Sequence, residues 1–145
     1  MPKAYASTVI DRPAREVWAV VRDFNGLPGW LPAVTRSAIE DGQPADRIGC
    51  VRSIHLADGA HIRERLLTLS DQDMSFTYNF ETTPFEVESY LATLRCTSVT
   101  DGDRCFVEWW THFDCDLAKR DEWLDFFANG VFQGGFDGLK ERLRR

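Results

Sequence analysis

The segment Glu88–Asp114 reads ESYLATLRCTSVTDGDRCFVEWWTHFD, and it decides the fold that the sequence predicts. Apolar and polar side chains alternate on both sides of Asp101-Gly102, a dipeptide typical of a tight turn between two antiparallel strands. The turn fixes the register because it pairs Thr100 with Asp103. On the inward face the expected pairs are Leu94 with Trp109, Ala92 with Thr111, and Tyr90 with Phe113. Outward, Arg95 is expected to lie opposite Glu108.

The same two-residue period continues upstream to residue 34 and predicts more antiparallel strands. Turn residues, above all Asp58-Gly59, divide this region into short runs. A three-residue loop with Gly59 in the left-handed conformation sets two inward pairs, Ile54 with Ile62 and Arg52 with Glu64. The strands predicted in this region are 34–40, 48–56, 60–69, 74–81, 88–98 and 104–114. The segment Ala4–Ile10, which contains β-branched residues, is predicted to be a seventh strand.

Helical periodicity flanks this strand-rich region on both sides. A short helix is expected to begin at Pro13, with its apolar face formed by Val17, Val20, Val21 and Phe24. The segment Leu27–Pro32 predicts a second short helical turn that carries Trp30. A long helix is expected over Leu117–Arg145, with Asp116 as its N-cap.

These elements predict an α+β fold in one domain, residues 1–145. A curved seven-stranded antiparallel sheet would wrap around the long C-terminal helix, with two short helices after the first strand. Such a sheet leaves a cavity between itself and the helix. Aromatic residues make up 12% of the chain, so their rings are expected to fill the core or to line that cavity.

Several short motifs accompany this order of elements: Val9-Ile10-Asp11-Arg12-Pro13, Asp23-Phe24, Trp30-x-Pro32, Gly49-x-Val51-Arg52, Glu64-Arg65-Leu66-Leu67 and Trp109-x-x-x-Phe113. By these motifs the chain resembles the START/birch-pollen-allergen helix-grip superfamily (SRPBCC) over nearly its whole length. Within that superfamily it is similar to the small bacterial polyketide cyclase/dehydrase and lipid-transport-like group. The resemblance implies the helix-grip fold and either a hydrophobic ligand or polyketide chemistry.

Strand parity predicts which side chains face the cavity. The expected ligand-binding residues are Arg52, Ile54, Ile62, Glu64, Leu66, Phe76, Tyr78, Phe80, Tyr90, Trp109, Thr111 and Phe113, with Phe127 from the helix and Trp30 at the mouth. Most of these side chains are apolar, which is typical of a small-molecule site. The same pattern also fits a plain aromatic core with a structural Arg52–Glu64 ion pair, so both interpretations stay open.

The polar members of this set suggest chemical roles. The planar fork of Arg52 suits a carboxylate or an enolate. Glu64 is the best acid/base candidate if the protein is an enzyme, and Tyr78 or Tyr90 could polarise a carbonyl group.

Charge and motif content exclude other classes of function. The net charge is −6, which disfavours nucleic-acid binding and adsorption to anionic membranes. No stretch is long and apolar enough for membrane insertion, so a cytoplasmic protein is expected. Strand parity turns all three histidines outward, and no nucleotide motif is present; therefore no metal and no cofactor are expected. The four cysteines are expected to be free thiols.

Three hypotheses of function follow. The first is a binding protein or carrier for an apolar or amphipathic molecule, such as a lipid, a polyketide or an aromatic compound. The second is a cyclase or dehydratase that acts by positioning its substrate, with acid/base help from Glu64. The third is a protein-interaction module, in which Leu91, Phe106 and Trp110 on the outer sheet face contact a partner or a second copy in a homodimer.

Overall fold

A computed structural model describes residues 1–144 and confirms the predicted α+β architecture. The strands are β1 (Lys3–Ile10), β2 (Val34–Ile39), β3 (Val51–Leu56), β4 (His61–Ser70), β5 (Ser75–Thr82), β6 (Glu88–Val99) and β7 (Arg104–Asp114). The α-helices are α1 (Ala14–Val21), α2 (Arg120–Asp125) and α3 (Gly134–Leu143). The expected last helical residue, Arg145, lies outside the described residues.

All seven strands form one antiparallel sheet in the order β1-β7-β6-β5-β4-β3-β2. The two hairpin registers predicted from turn residues are confirmed at most positions. Leu94 faces Trp109 across β6 and β7, and Arg52 faces Glu64 across β3 and β4. Gly59 has a φ of 93°, the left-handed conformation that its turn requires.

One predicted pair in β6 falls at an irregularity. The register shifts between Glu88 and Leu91, so Ser89 and Tyr90 together lie against Phe113. Ser89 has a φ of 54° at this irregularity, which is typical of a β-bulge. Beside this irregularity, Thr111 Oγ1 donates a hydrogen bond to the Leu91 carbonyl oxygen at 3.0 Å.

The first helical region is shorter than predicted. Helix α1 begins after Pro13 and ends at Val21, and the second turn is a 3₁₀ helix over Leu27–Gly29. Phe24 lies between them and is buried against the sheet, where its ring contacts Phe76. Helix α1 contacts β6 and β7, and the 3₁₀ helix contacts β2.

The C-terminal helix runs over residues 117–143, but it changes its winding along the way. A 3₁₀ turn (Leu117–Lys119), capped by the Asp116 carboxylate, leads into α2, and an eight-residue π-helix (Phe126–Gln133) joins α2 to α3. A π-helix bonds residues five apart. It therefore brings Phe127 and Phe132 to the same side, and both are buried. In a regular α-helix, residues five apart would point about 140° away from each other.

Helix α3 approaches the segment after the 3₁₀ turn, and strand β7, so closely that an added Cβ atom would clash at two glycines. A Cβ atom on Gly138 would lie 2.1 Å from the Trp30 carbonyl oxygen and 2.7 Å from Cδ of Pro32. On Gly135 it would lie 2.7 Å from Cζ3 of Trp109. The backbone of α3 therefore lies directly against Trp30, Pro32 and the Trp109 ring.

The outer face of the sheet is partly covered by its own side chains. Trp110 is half-buried because the ring of Tyr5 stacks on it, with Lys3 and Arg95 over its indole. Arg95 also forms the predicted ion pair with Glu108, at 2.9 Å. Leu91 stays exposed and Phe106 is half-buried. Dimerisation through this face stays a prediction.

Candidate ligand-binding cavity

A cavity of about 630 Å³ lies between the concave sheet and the C-terminal helix. Most predicted site residues lie on its wall: Arg52, Ile54, Ile62, Glu64, Tyr78, Phe80, Tyr90, Trp109 and Phe127. Its rim includes the tip of the β3–β4 hairpin at Ala57 and Asp58, the segment 32–33, and the exposed helix residues Phe126 and Gly130. The concave face therefore encloses a space of the size that small ligands occupy.

Five predicted residues lie in the core and not on the cavity wall. Leu66, Phe76 and Phe113 are buried among other apolar side chains. Thr111 is also buried, and its hydroxyl is used at the β-bulge. Trp30 was expected at the mouth, but helix α3 covers it and its ring packs 5.7 Å from that of Trp109.

Sequence reasoning missed the part of the wall that comes from loops, from the 3₁₀ turn, from the ends of β2 and β3, and from the C-terminal helix. These additional lining residues are Leu27, Leu31, Pro32, Ala33, Val34, Leu56, Ala57, Asp58, Phe85, Phe126, Gly130, Val131, Gly134 and Gly135. A signal for some of them was present, because Gly130 and Gly134 are four apart on the stretch that also carries Phe127 and Val131. Small residues along one side of a packed helix leave room beside it.

The polar groups of the cavity centre on a buried ion pair between neighbouring strands. Arg52 Nε and Nη2 each lie 2.8 Å from the same Glu64 oxygen, Oε1. Arg52 is 2% exposed and Glu64 is 6% exposed. The guanidinium carbon lies 3.9 Å from the ring centre of Phe24 and 4.9 Å from that of Tyr78. The sheet register and two aromatic faces thus fix Arg52 in place.

Arg52 is more fully engaged than the sequence suggested. Its third nitrogen, Nη1, donates to the Phe24 carbonyl oxygen at 3.0 Å, so every guanidinium nitrogen lies beside a protein oxygen. Its charge is balanced by Glu64. Arg52 is therefore not a free cation that could bind a ligand carboxylate, as the sequence suggested.

Glu64 has one oxygen that faces the cavity. Both contacts from Arg52 end on Oε1, and Oε2 has no donor among residues 1–144. Among the described residues, the side-chain polar atoms that are fully buried without a partner are Trp30 Nε1 and Asn79 Oδ1. Glu64 Oε2 is not one of them, so it keeps some accessible surface. Because Glu64 lines the cavity, we take that surface to face the cavity space. Burial raises the pKa of Glu64 above its ordinary value, and the charge of Arg52 opposes that rise.

Two tyrosines lie beside this ion pair. Tyr78 Oη accepts a hydrogen bond from Trp109 Nε1 at 3.0 Å, which leaves the Tyr78 O–H proton available as a donor. The ring of Tyr90 stacks on Phe80 with centres 3.9 Å apart. Burial raises the pKa of both hydroxyls, so both tyrosines are neutral hydrogen-bond donors at neutral pH.

The structure places the histidines where strand parity predicted them. His55 and His61 stack on the outer face with ring centres 4.4 Å apart, and His112 points to the same side as Trp110. Within residues 1–144, no group of three His, Cys, Asp or Glu side chains could hold a metal ion. The four cysteines are free thiols. None of the helices described is both long and apolar enough to cross a membrane.

Comparisons with known proteins agree with this geometry. A sequence model of the family described as "Polyketide cyclase / dehydrase and lipid transport" matches residues 1–144. The protein XoxI from Bacillus cereus is 29% identical, with a TM-score of 0.87 over 97% of this chain and 94% of that one. A putative uncharacterized protein from Bacillus thuringiensis is 27% identical, with a TM-score of 0.88 over 99% and 100%. A protein from Thermobifida fusca is 27% identical, with a TM-score of 0.87 over 98% and 93%.

Proposed function

We propose, from the premise that the chain belongs to the polyketide cyclase/dehydrase and lipid transport family, that it binds an apolar or amphipathic small molecule in the cavity between sheet and helix. The ligand would be a lipid, a polyketide or an aromatic compound. The observation that carries the proposal is the cavity of about 630 Å³, walled mainly by aromatic and aliphatic side chains around one polar cluster.

The wall supports binding that is driven by burial of apolar surface. Each square ångström of apolar ligand surface removed from water contributes about 25 cal/mol before the costs of ordering. Aromatic side chains such as Phe80, Phe85 and Phe127 line the wall and offer flat contact surfaces. The polar cluster of Arg52, Glu64, Tyr78 and Tyr90 would orient the ligand.

Filling the cavity is expected to abolish binding without unfolding the protein. Val131 lies on the wall and is only partly buried, so the side chain of Val131→Trp can occupy cavity space. We expect this variant to bind the neutral fluorescent probe N-phenyl-1-naphthylamine at least about tenfold more weakly than the wild type. Fluorescence titration measures the affinity, and thermal unfolding checks the fold.

The matched control is Val9→Trp, the same substitution at an exposed position of β1. It should bind the probe like the wild type. Equal affinity of Val131→Trp and wild type would show that the probe does not use the cavity and would overturn the proposal. Native mass spectrometry after mild purification, followed by solvent extraction, would identify any molecule that copurifies.

A second candidate function rests on the cavity-facing oxygen of Glu64. A carboxylate with a raised pKa beside a neutral tyrosine is suited to acid/base chemistry. In the dehydration of a β-hydroxyketone, Glu64 would take the α proton and Tyr78 would polarise the ketone oxygen. The C–H bond and the C–OH bond break, and the leaving hydroxyl takes the proton from Glu64. The products are an enone and water, and the Glu64 carboxylate is restored.

This candidate predicts a large effect of Glu64→Gln. With 4-hydroxy-4-(2-naphthyl)butan-2-one as substrate, we expect this variant to lose about 100-fold or more of the wild-type rate, measured as enone absorbance. Glu108→Gln changes the same residue type in the outer-face ion pair and should keep the wild-type rate. If wild type and Glu64→Gln both leave the substrate unchanged, the enzyme hypothesis fails for this reaction class and the binding proposal is unaffected.

A further inference from the structure

The charge balance inside the cavity restricts the ligand that it accepts. Arg52 and Glu64 are the two charged side chains of the polar cluster, and they are paired at 2.8 Å. The pair as a whole is therefore neutral. An anionic ligand group placed here would add a second negative charge beside Glu64, away from water, without an unpaired cation to receive it.

The cavity-facing polar groups that have no protein partner are suited to an uncharged ligand group. Glu64 Oε2 is an acceptor without a donor among the described residues. The Tyr78 hydroxyl, already an acceptor for Trp109, has a proton to donate. Glu64 faces Phe80 in the β4–β5 register, and Tyr78 is two residues before Phe80 on the same buried face of β5. Glu64 and Tyr78 are thus diagonal neighbours on adjacent strands, and both line the cavity.

A hydroxyl group satisfies both positions at once, because it donates one hydrogen bond and accepts another. An ionised carboxylate or phosphate group offers mainly acceptors, so it cannot donate to Glu64 Oε2. Its negative charge would also be repelled by that of Glu64. Resting on the proposed binding function, we infer that the cavity selects apolar molecules whose buried end carries an uncharged hydroxyl group, and that it rejects carboxylate and phosphate ends. Alcohols, phenols and enols belong to the accepted class, whereas fatty acids and phospholipid headgroups do not.

Three naphthalene probes test this inference on the wild-type protein. They are 2-methylnaphthalene, 2-naphthylmethanol and 2-naphthoate, which share one ring system and differ only in the substituent. At pH 7.5 we expect the alcohol to bind more tightly than the hydrocarbon. We expect the carboxylate to bind at least about tenfold more weakly than the alcohol. Isothermal titration or displacement of N-phenyl-1-naphthylamine gives the three affinities.

The possible outcomes distinguish a failure of this inference from a failure of the proposed binding function. Binding of the hydrocarbon and the alcohol with rejection of the carboxylate supports both. Carboxylate binding equal to or tighter than alcohol binding overturns the neutral-ligand inference while the cavity proposal stands. If no probe of the three binds, the cavity proposal itself fails, and the inference fails with it.

A variant tests the cause of the selectivity. Glu64→Gln removes the negative charge and leaves Arg52 unbalanced, so the preference should move toward the anion. We expect 2-naphthoate to bind this variant at least about tenfold more tightly than it binds the wild type. The matched control, Glu108→Gln, should keep the wild-type order of affinities. If Glu64→Gln does not fold, the affinity ratio measured on the wild type still decides the inference.

Discussion

Replacing Gly138 with alanine is expected to lower the free energy of unfolding by about 3 kcal/mol, near the upper end for overpacked sites. The new Cβ atom would lie 2.1 Å from the Trp30 carbonyl oxygen. That neighbour is backbone, and Pro32 stands beside it, so neither can turn aside as a flexible side chain would. Helix α3 would have to move away from the sheet. Thermal unfolding should show a decrease in Tm of about 10 °C.

Gly134→Ala is the matched control on the same helix. Apart from its own helix backbone, nothing lies within 4 Å of the Cβ position at Gly134, and alanine favours a helix over glycine by about 1 kcal/mol. This variant should be as stable as the wild type or more stable. A Gly138→Ala protein that unfolds at the same temperature as Gly134→Ala would contradict the close approach of α3 to Trp30.

The second large effect is expected for Arg52→Met, which keeps an apolar stem between Phe24 and Tyr78 but removes the charge. Glu64 is then buried without a partner, and losses of about 3–5 kcal/mol are typical when one member of a buried ion pair is removed. Chemical denaturation of the variant and the wild type measures this difference.

The loss of stability in Arg52→Met should depend on pH. Without Arg52, burial raises the pKa of Glu64 with nothing to oppose it except the polar hydroxyls of Tyr78 and Tyr90. A carboxyl whose pKa is higher in the folded state than in the unfolded state favours folding below its unfolded pKa, near 4.5, and that contribution disappears as the pH rises through the folded pKa. The variant should therefore lose stability relative to the wild type as the pH rises above the ordinary pKa of a glutamate side chain.

Two controls separate charge burial from general damage. Arg95→Met removes the arginine of another cross-strand ion pair, Arg95–Glu108, which lies on the outer face and whose arginine is 45% exposed. We expect Arg95→Met to lower the free energy of unfolding by less than about 1 kcal/mol. The double variant Arg52→Met/Glu64→Leu replaces the buried pair with apolar side chains and should recover most of the stability lost in Arg52→Met. An equal cost for Arg52→Met and Arg95→Met would contradict the burial of Arg52.

The fold could be predicted from the sequence wherever a turn fixes the register. Asp58-Gly59 and Asp101-Gly102 place Arg52 opposite Glu64 and Leu94 opposite Trp109, because one tight turn determines every pair of its hairpin. The β-bulge at Ser89 escaped prediction. It depends on a positive φ at a residue other than glycine, and the sequence gives no marker for that conformation.

The cavity was less predictable than the sheet, since its wall depends on how the helix packs. Strand parity placed Tyr78 and Glu64 on the concave face, but it could not show that Phe113 lies in the core. The π-helical winding of Phe126–Gln133 changes which side each residue faces, and an α-helical period does not describe it. Nor could pairing rules show that Arg52 also donates to the Phe24 carbonyl oxygen, because that contact depends on a loop.

The pairing of β1 with β7 has a consequence for the kinetics of folding. Tyr5 donates a hydrogen bond to Glu108, 103 positions further along the chain, and the whole of β1 pairs across a similar separation. Contacts so distant in sequence slow folding, because a long loop must close before they form. At a translation rate of about 5–20 residues per second, β1 waits on the order of 5–20 s for its partner strand to be synthesised. The hairpins β3–β4 and β6–β7 need no such wait, so we expect the sheet to assemble from them and to add β1 last.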